Sequence, residues 1–329
     1  MTKLGRRAAW LLLLAALPMF SGCSAMGTRY LRLGFPIVYE HADFLIGWEA
    51  DTYFDLDAEQ RAWLSKQVMA QQAWHRKTQL PKYSATLAEV ARTASQRGIE
   101  PADLQRLENA FRSWYDDTSA QGLDVMGQLF LRVSDAQVAH FRAELETLNK
   151  KAIDDAAERT PADRRDELVD RYESMMGDLS PAQLRKVDVA AASLQAEDPF
   201  RLVYWKRWQG DLFALLARRR AAPACFITQF KDMATHRERW YTPELSRVRA
   251  HNEQVQRELA QTLLTDLSSA QRAQFVRKAN DWKELFAGLA GKVGSGVVQG
   301  PQRTEAGASA CAASAEAGGK RSNASASGA

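Results

Sequence analysis

Few residues in this chain have the types and spacing that do chemistry, and Cys23 has the sharpest context. It follows Ser21 and Gly22, at the end of an apolar run from Ala8 to Phe20 that only Pro18 interrupts. Lys3, Arg6 and Arg7 precede the run. A charged flank, a short apolar core and small residues before a cut are the marks of a cleaved export signal. The run is shorter than the roughly 20 apolar residues a permanent spanning helix needs. Elsewhere, His41, His75, His140, His236 and His251 include no His-x-x-x-His pair, and no Cys-x-x-Cys occurs, so zinc spacing is absent. Asp51, Asp55, Asp57 and Glu59 gather oxygens that calcium would accept, but the segment lacks the glycine and terminal glutamate of an EF-hand loop. A solvated turn is the better reading. Neither a Gly-x-Ser-x-Gly elbow nor a phosphate-cradling glycine loop is present. Carboxylates dispersed along a helical chain can still converge as a glycosidase pair does, so a cell-wall hydrolase stays open as a distant alternative. The expectation is a protein that is not an enzyme, with no catalytic residue, metal or cofactor.

The segment ending at Cys23 resembles the lipobox of bacterial lipoproteins, with Phe20 where that family usually carries Leu. The resemblance implies a diacylglyceryl group on the thiol, cleavage after Gly22, and acylation, with palmitate for example, of the new amino group. Ser24 and not Asp follows the cysteine, which by the same resemblance implies export to the outer membrane with the body in the periplasm. One acyl chain binds a membrane only marginally, at about 0.8 kcal/mol per buried methylene, whereas two or three hold it firmly.

Composition narrows the rest. The 329 residues carry a formal charge of +4, yet the signal removes Lys3, Arg6 and Arg7 and no acid, leaving 41 basic against 40 acidic residues. A near-neutral chain lacks the concentrated positive surface that nucleic acid requires. With Cys23 lipidated, only Cys225 and Cys311 remain. These two could pair in an oxidising periplasm; against that, Cys311 sits in a tail expected to be disordered and Cys225 among apolar residues that can bury it as a thiol, and the unpaired reading is the favoured one.

The elements that must position any site are helices. After a tether over 23–36, Ile37 to Trp48 is apolar enough to be a buried helix. Asp57 then caps a new helix with Gln60 three residues on, a capping box, and that helix runs through Trp63, Leu64, Val68 and Trp74 to the neighbourhood of Pro81. The same opening returns at Ser134 with Gln137, at Ser180 with Gln183 and at Ser268 with Gln271, with variants at Pro101, Thr160-Pro161 and Thr242-Pro243. Apolar residues follow each start at spacings of three, four and seven. Their unequal separations make this a repeated way of opening helices and not a tandem solenoid. A further helix opens at Asp198-Pro199 and closes on Arg218-Arg219-Arg220, read as a solvated end that suits the helix dipole, with a membrane-surface contact as the alternative. From 291 to 329 the chain turns to Gly, Ala and Ser and is expected to be disordered. The sum is an all-α body over 37–290, as one domain or two subdomains.

Asp51-Thr52-Tyr53-Phe54-Asp55-Leu56, Trp74-His75-Arg76 with Leu80-Pro81-Lys82-Tyr83, and the lipobox together resemble a family of proteobacterial helical lipoproteins defined only as a domain of unknown function. That resemblance is best over the N-terminal third and implies location and fold class, without catalytic residues. Leu179-Ser180-Pro181-Ala182-Gln183 and Leu267-Ser268-Ser269-Ala270-Gln271 are similar to the Leu-Thr-x-x-Gln motif of Spy/CpxP-type periplasmic chaperones, with Ser for Thr. The same pattern is also what any well-capped helix start looks like. Most tryptophans beyond the signal fall on apolar helix faces; Trp205 and Trp208, beside Arg207, are the candidates for a partner-binding patch. The expected role is therefore a lipid-anchored, non-enzymatic interaction or structural module for an unknown envelope protein. A tethered chaperone of the Spy type is the runner-up.

Overall fold

The computed structural model describes residues 34–158 and 160–292. The expected signal, Cys23, the expected tether up to 33 and the Gly/Ala/Ser-rich stretch from 293 onward lie outside the described residues. Among the described residues the chain forms α-helices and one 3-10 turn and no strand, so the fold is all-α. The helices are α1 (Ala42–Phe54), α2 (Ala58–Thr78), α3 (Leu80–Gln96), α4 (Pro101–Arg132), α5 (Asp135–Glu158), α6 (Pro161–Met176), α7 (Pro181–Ser193), α8 (Asp198–Ala217), α9 (Pro223–Thr235), α10 (Pro243–Thr265) and α11 (Ser269–Gly291). Residues 34–40 are helical as well. The backbone bonds His41 N–H to Ile37 O (3.1 Å) and Leu45 N–H to His41 O (3.0 Å) link this stretch to α1 as a rod with a turn at His41, whose φ −106° and ψ 26° depart from the helix.

Helix starts follow the local chemistry of the sequence. Thr160, Ser180, Thr242 and Ser268 each accept the backbone N–H three residues on, as Asp57 does at α2. Ser134 and Gln137 make the same reciprocal box at α5. Proline occupies the first turn of α4, α6, α7, α9 and α10, where its missing N–H has no intrahelical partner to lose.

Four of these boxes meet in pairs. Gln60 donates to Arg132 O (3.0 Å) and to Gln137 Oε1 (3.1 Å), while Gln137 donates to Asp55 O (2.9 Å) and to Gln60 Oε1 (2.7 Å). At the other end of the body Gln183 donates to Asp266 O (3.4 Å) and Gln271 Oε1 (3.1 Å), and Gln271 donates to Asp178 O (2.9 Å) and Gln183 Oε1 (2.7 Å). Each amide thus spends both N–H groups, and each Oε1 accepts from its own N-cap N–H and from the partner amide. The apolar residue before every cap, Leu56, Val133, Leu179 or Leu267, is buried below its pair.

Two helix–helix junctions accordingly meet at each end, α1/α2 with α4/α5 and α6/α7 with α10/α11. The first lobe buries Phe54, Leu64, Leu129, Phe130, Leu212, Leu216 and Phe226; the second buries Leu168, Tyr172, Met176, Val187, Leu263 and Phe275. Between them lies a waist of Tyr39, Leu80, Tyr83, Trp114, Phe286 and Leu289. The helix α4 touches all three clusters in turn, through Leu104, then Phe111 and Trp114, then Leu129 and Phe130. Its 32 residues make a spine of about 48 Å.

The longest helix–helix contact joins α3 and α11. It runs antiparallel, with Leu80 and Tyr83 near Phe286 and Leu289 and Gly98 against Arg272. Buried Ala91, Ala94 and Ala279 let the backbones approach, closely enough for Ser84 Oγ to donate to Lys283 O at 3.1 Å. Gly127 does the same for α4 and α9: a Cβ there would sit 3.4 Å from both Ile227 and Phe230.

Three expectations are corrected. Residues 37–48 form a helix but not a buried one, for Ile37 and Phe44 are 65% and 67% exposed; the protein covers only the opposite face. Arg218-Arg219-Arg220 is not a solvated end throughout. Arg219 is buried and donates to Leu216 O (2.8 Å), Val133 O (2.8 Å) and Asp135 Oδ1 (2.7 Å), joining the ends of α4 and α8 to the start of α5. Cys225 is not a free thiol; it is disulfide-bonded, and its partner lies outside the described residues.

The paired amides make a sharp expectation. Gln183→Leu leaves the Gln271 amide, the Ser180 N–H and the Asp266 carbonyl short of partners, and should lower stability by about 2–4 kcal/mol in urea unfolding. Gln183→Leu with Gln271→Leu should cost less than the two single changes added together. Strict additivity would mean that the two amides do not act as a unit.

Candidate functional site

The densest set of chemically capable side chains is at the waist. The rod of 34–40 brings Phe35, Tyr39 and Glu40; α2 brings His75 and Arg76; α3 brings Tyr83; α4 brings Trp114 and Thr118; α11 brings Trp282 and Phe286. Helical spacing sets this arrangement. His75 and Arg76 are adjacent, so they point to neighbouring sides of α2, and Tyr83 follows in the first turn of α3, its N–H bonded to Gln79 O (3.0 Å).

His75 is held from both sides, with Nδ1 3.0 Å from the Tyr39 hydroxyl and Nε2 3.2 Å from the Tyr83 hydroxyl, which in turn lies 3.2 Å from Thr118 Oγ1. Aromatic rings wall the chain off: Tyr83 packs on Trp114 with centroids 4.2 Å apart, and Phe35 stacks on Tyr39 at 5.8 Å. Burial, reinforced by the charge of Arg76, pushes the His75 imidazole down to about 4. Burial likewise raises the hydroxyls of Tyr39 and Tyr83. At neutral pH the whole relay is therefore uncharged. It can orient protons, one ring nitrogen donating and the other accepting, but it holds no anionic base.

Arg76 supplies the charge. Its guanidinium is buried, pairs with Glu40 Oε2 at 2.7 Å, donates to Lys292 O at 3.0 Å and Leu289 O at 3.5 Å, and lies 5.1 Å from the Tyr39 ring centroid. The hydrogen bond from Arg76 holds the Glu40 carboxyl below its usual range. One side chain thus joins the start of the described chain to its end.

The residues picked out by sequence fall in several places. Asp51, from the acidic segment, accepts from Leu56 N–H (3.1 Å) and Arg61 (2.8 Å), and Asp57 caps α2. These carboxylates shape the turn that sets up Gln60. Among the described residues no three His, Cys, Asp or Glu side chains are grouped to hold a metal ion. On α8, Trp208 packs against the first core and donates its indole N–H to Met233 O (3.2 Å). Trp205 is half-buried under the Arg201 guanidinium, 4.8 Å from the ring, and Arg207 is exposed. Trp205 and Arg207 face outward to different degrees while Trp208 points in. Cys23 lies outside the described residues. Sequence reasoning missed Tyr39, Glu40 and Thr118; the one signal was the Trp74-His75-Arg76 and Tyr83 pattern, which marks the receiving side of the cluster but not its partners.

The relay predicts a pH dependence. The His75 imidazole is lower in the folded chain, about 4, than its ordinary value of about 6.5. As pH falls through about 6.5 the unfolded chain takes up a proton that the folded chain refuses, so stability is full above that pH and is lost toward pH 4. The loss between pH 7 and 5 should be roughly 2 kcal/mol. His75→Gln should flatten that slope in urea titrations at the two pH values; an unchanged slope would show that other groups produce it.

The family model described as Family of unknown function (DUF6279) matches residues 52–246, more than half of the chain, and the chain belongs to that family. The match begins inside α1 and ends at the start of α10. It takes in Gln60, His75, Arg76, Tyr83, Gln137 and Gln183 but neither Tyr39 nor Gln271. No curated protein and no solved structure matches the chain.

Proposed function

For this member of a family of unknown function we propose a lipid-anchored protein of the bacterial envelope. Cys23 tethers it to the outer membrane, and its helical body stands in the periplasm as a non-enzymatic interaction or structural module. The observation that carries the non-enzymatic half is how the waist spends its polar groups: both ring nitrogens of His75, the hydroxyls of Tyr39 and Tyr83, and the guanidinium of Arg76 face partners within the chain. Groups committed to internal partners hold helices together; they are not aimed at a substrate. The anchor rests on the sequence around Cys23. No described helix is long and apolar enough to cross a membrane.

A tethered chaperone of the Spy type is the second reading. What favours it is that the two Leu-Ser-x-x-Gln starts, 88 positions apart, meet through Gln183 and Gln271, which gives the motif a shared structural role beyond helix capping.

In-cell crosslinking of the intact protein with mass spectrometry of the captured species separates these readings. A single dominant envelope protein supports the module, a broad stress-dependent set of unfolded clients supports the chaperone, and capture of peptidoglycan would turn attention to a hydrolase. The anchor has its own test. With the Cys23 sulfur taken by lipid, Cys311 is the only other cysteine in the chain available to Cys225. Non-reducing peptide maps should recover a Cys225–Cys311 peptide, and Cys23→Ser should leave an uncleaved precursor. A Cys23–Cys225 peptide would overturn the lipid attachment.

A further inference from the structure

The rod that begins at residue 34 and runs through α1 has two apolar faces. Tyr39, Ala42, Ile46, Ala50 and Tyr53, spaced three and four apart, are buried against the body. On the other side Ile37, His41, Phe44 and Trp48 are exposed, spaced four, three and four apart, with Trp48 at 45%. These three large apolar side chains form a stripe of about 17 Å along one face. Other exposed large apolar residues, Val189 on α7 and Ile153 on α5 among them, belong to other helices. A large exposed apolar face is ordinarily covered by a partner surface, and here the protein covers only the opposite face of the rod.

What covers the other side follows from where the stripe sits in the chain. Ten residues separate Cys23 from Gly34, and a fully extended tether of that length reaches at most about 40 Å, so this rod is the first part of the body held beside the anchor. The stretch from 24 to 36 contributes Arg29 and Arg32 and no acid, the charge sign that anionic headgroups attract. Aromatic side chains such as Phe44 and Trp48 favour the boundary between headgroups and acyl chains.

We propose that the Ile37–Phe44–Trp48 face lies on the phospholipid leaflet that holds the anchor, fixing how the body is oriented instead of leaving it free on its tether. This rests on lipidation of Cys23. The lipid chains hold the protein to the membrane, and the stripe decides which side faces it.

The test places a photoreactive p-benzoylphenylalanine at Phe44 or at Trp48 in the full chain in cells, with Val189 as the control site on the second lobe. Because Phe44 and Trp48 are exposed, an aromatic replacement leaves the packing intact. Irradiation should give adducts with the mass of a phospholipid at positions 44 and 48 and none at 189. The same digests report whether the Cys23 peptide carries lipid. With Cys23 lipidated, an adduct to another polypeptide or to a second copy, no adduct at all, or equal lipid labelling at 189 overturns the orienting role and leaves the anchor standing. A Cys23 peptide without lipid overturns both.

Discussion

Two pairs of glutamine amides hold the plan of this molecule. A helix start leaves backbone N–H groups without partners, and the capping box satisfies them with a side chain that still has an N–H pair to spare. Gln60 with Gln137, and Gln183 with Gln271, turn that surplus on each other and on the backbone carbonyl two residues before the partner's cap. A buried amide with any of these bonds missing would cost more than the bond contributes, so the pairs fix the distance and angle between the helix junctions with little tolerance. Leu56, Val133, Leu179 and Leu267 pack beneath them, and the lobes grow outward from those four positions.

The waist solves a different problem, that of joining the lobes. It uses aromatic area for cohesion and a small polar set for registry. An uncharged Tyr39–His75–Tyr83 chain avoids the cost of burying ions, and the one buried cation, Arg76, meets a carboxylate and two backbone carbonyls. Arg219 repeats the device at the first lobe, with Asp135 and the carbonyls of Val133 and Leu216. In both cases a guanidinium gathers the ends of helices whose last carbonyls lack intrahelical partners.

What the sequence made legible follows the range of the interactions. Caps at Asp57, Ser134, Ser180 and Ser268 need four consecutive residues, and all were read correctly, as was the all-α class that rests on apolar spacing. That these caps meet in pairs was not readable, because it depends on crossings between residues 77 and 88 positions apart. The burial of Arg219 was missed for the same reason, since Asp135 lies far along the chain. The rod at 37–48 was read as buried because apolar content alone does not say how many sides of a helix the protein covers. At the waist, His75, Arg76 and Tyr83 stood out in sequence, but Tyr39, Glu40 and Thr118 come from other helices and carry no local mark.

The grip of Arg76 on Glu40 and on the carbonyl of Lys292 has a mechanical side. The described chain enters and leaves the body at nearly one point, midway between the lobes. Tension applied between those two ends would run through a single guanidinium and its three oxygen partners, bypassing both lobe cores. A pull at those two points strains the waist first.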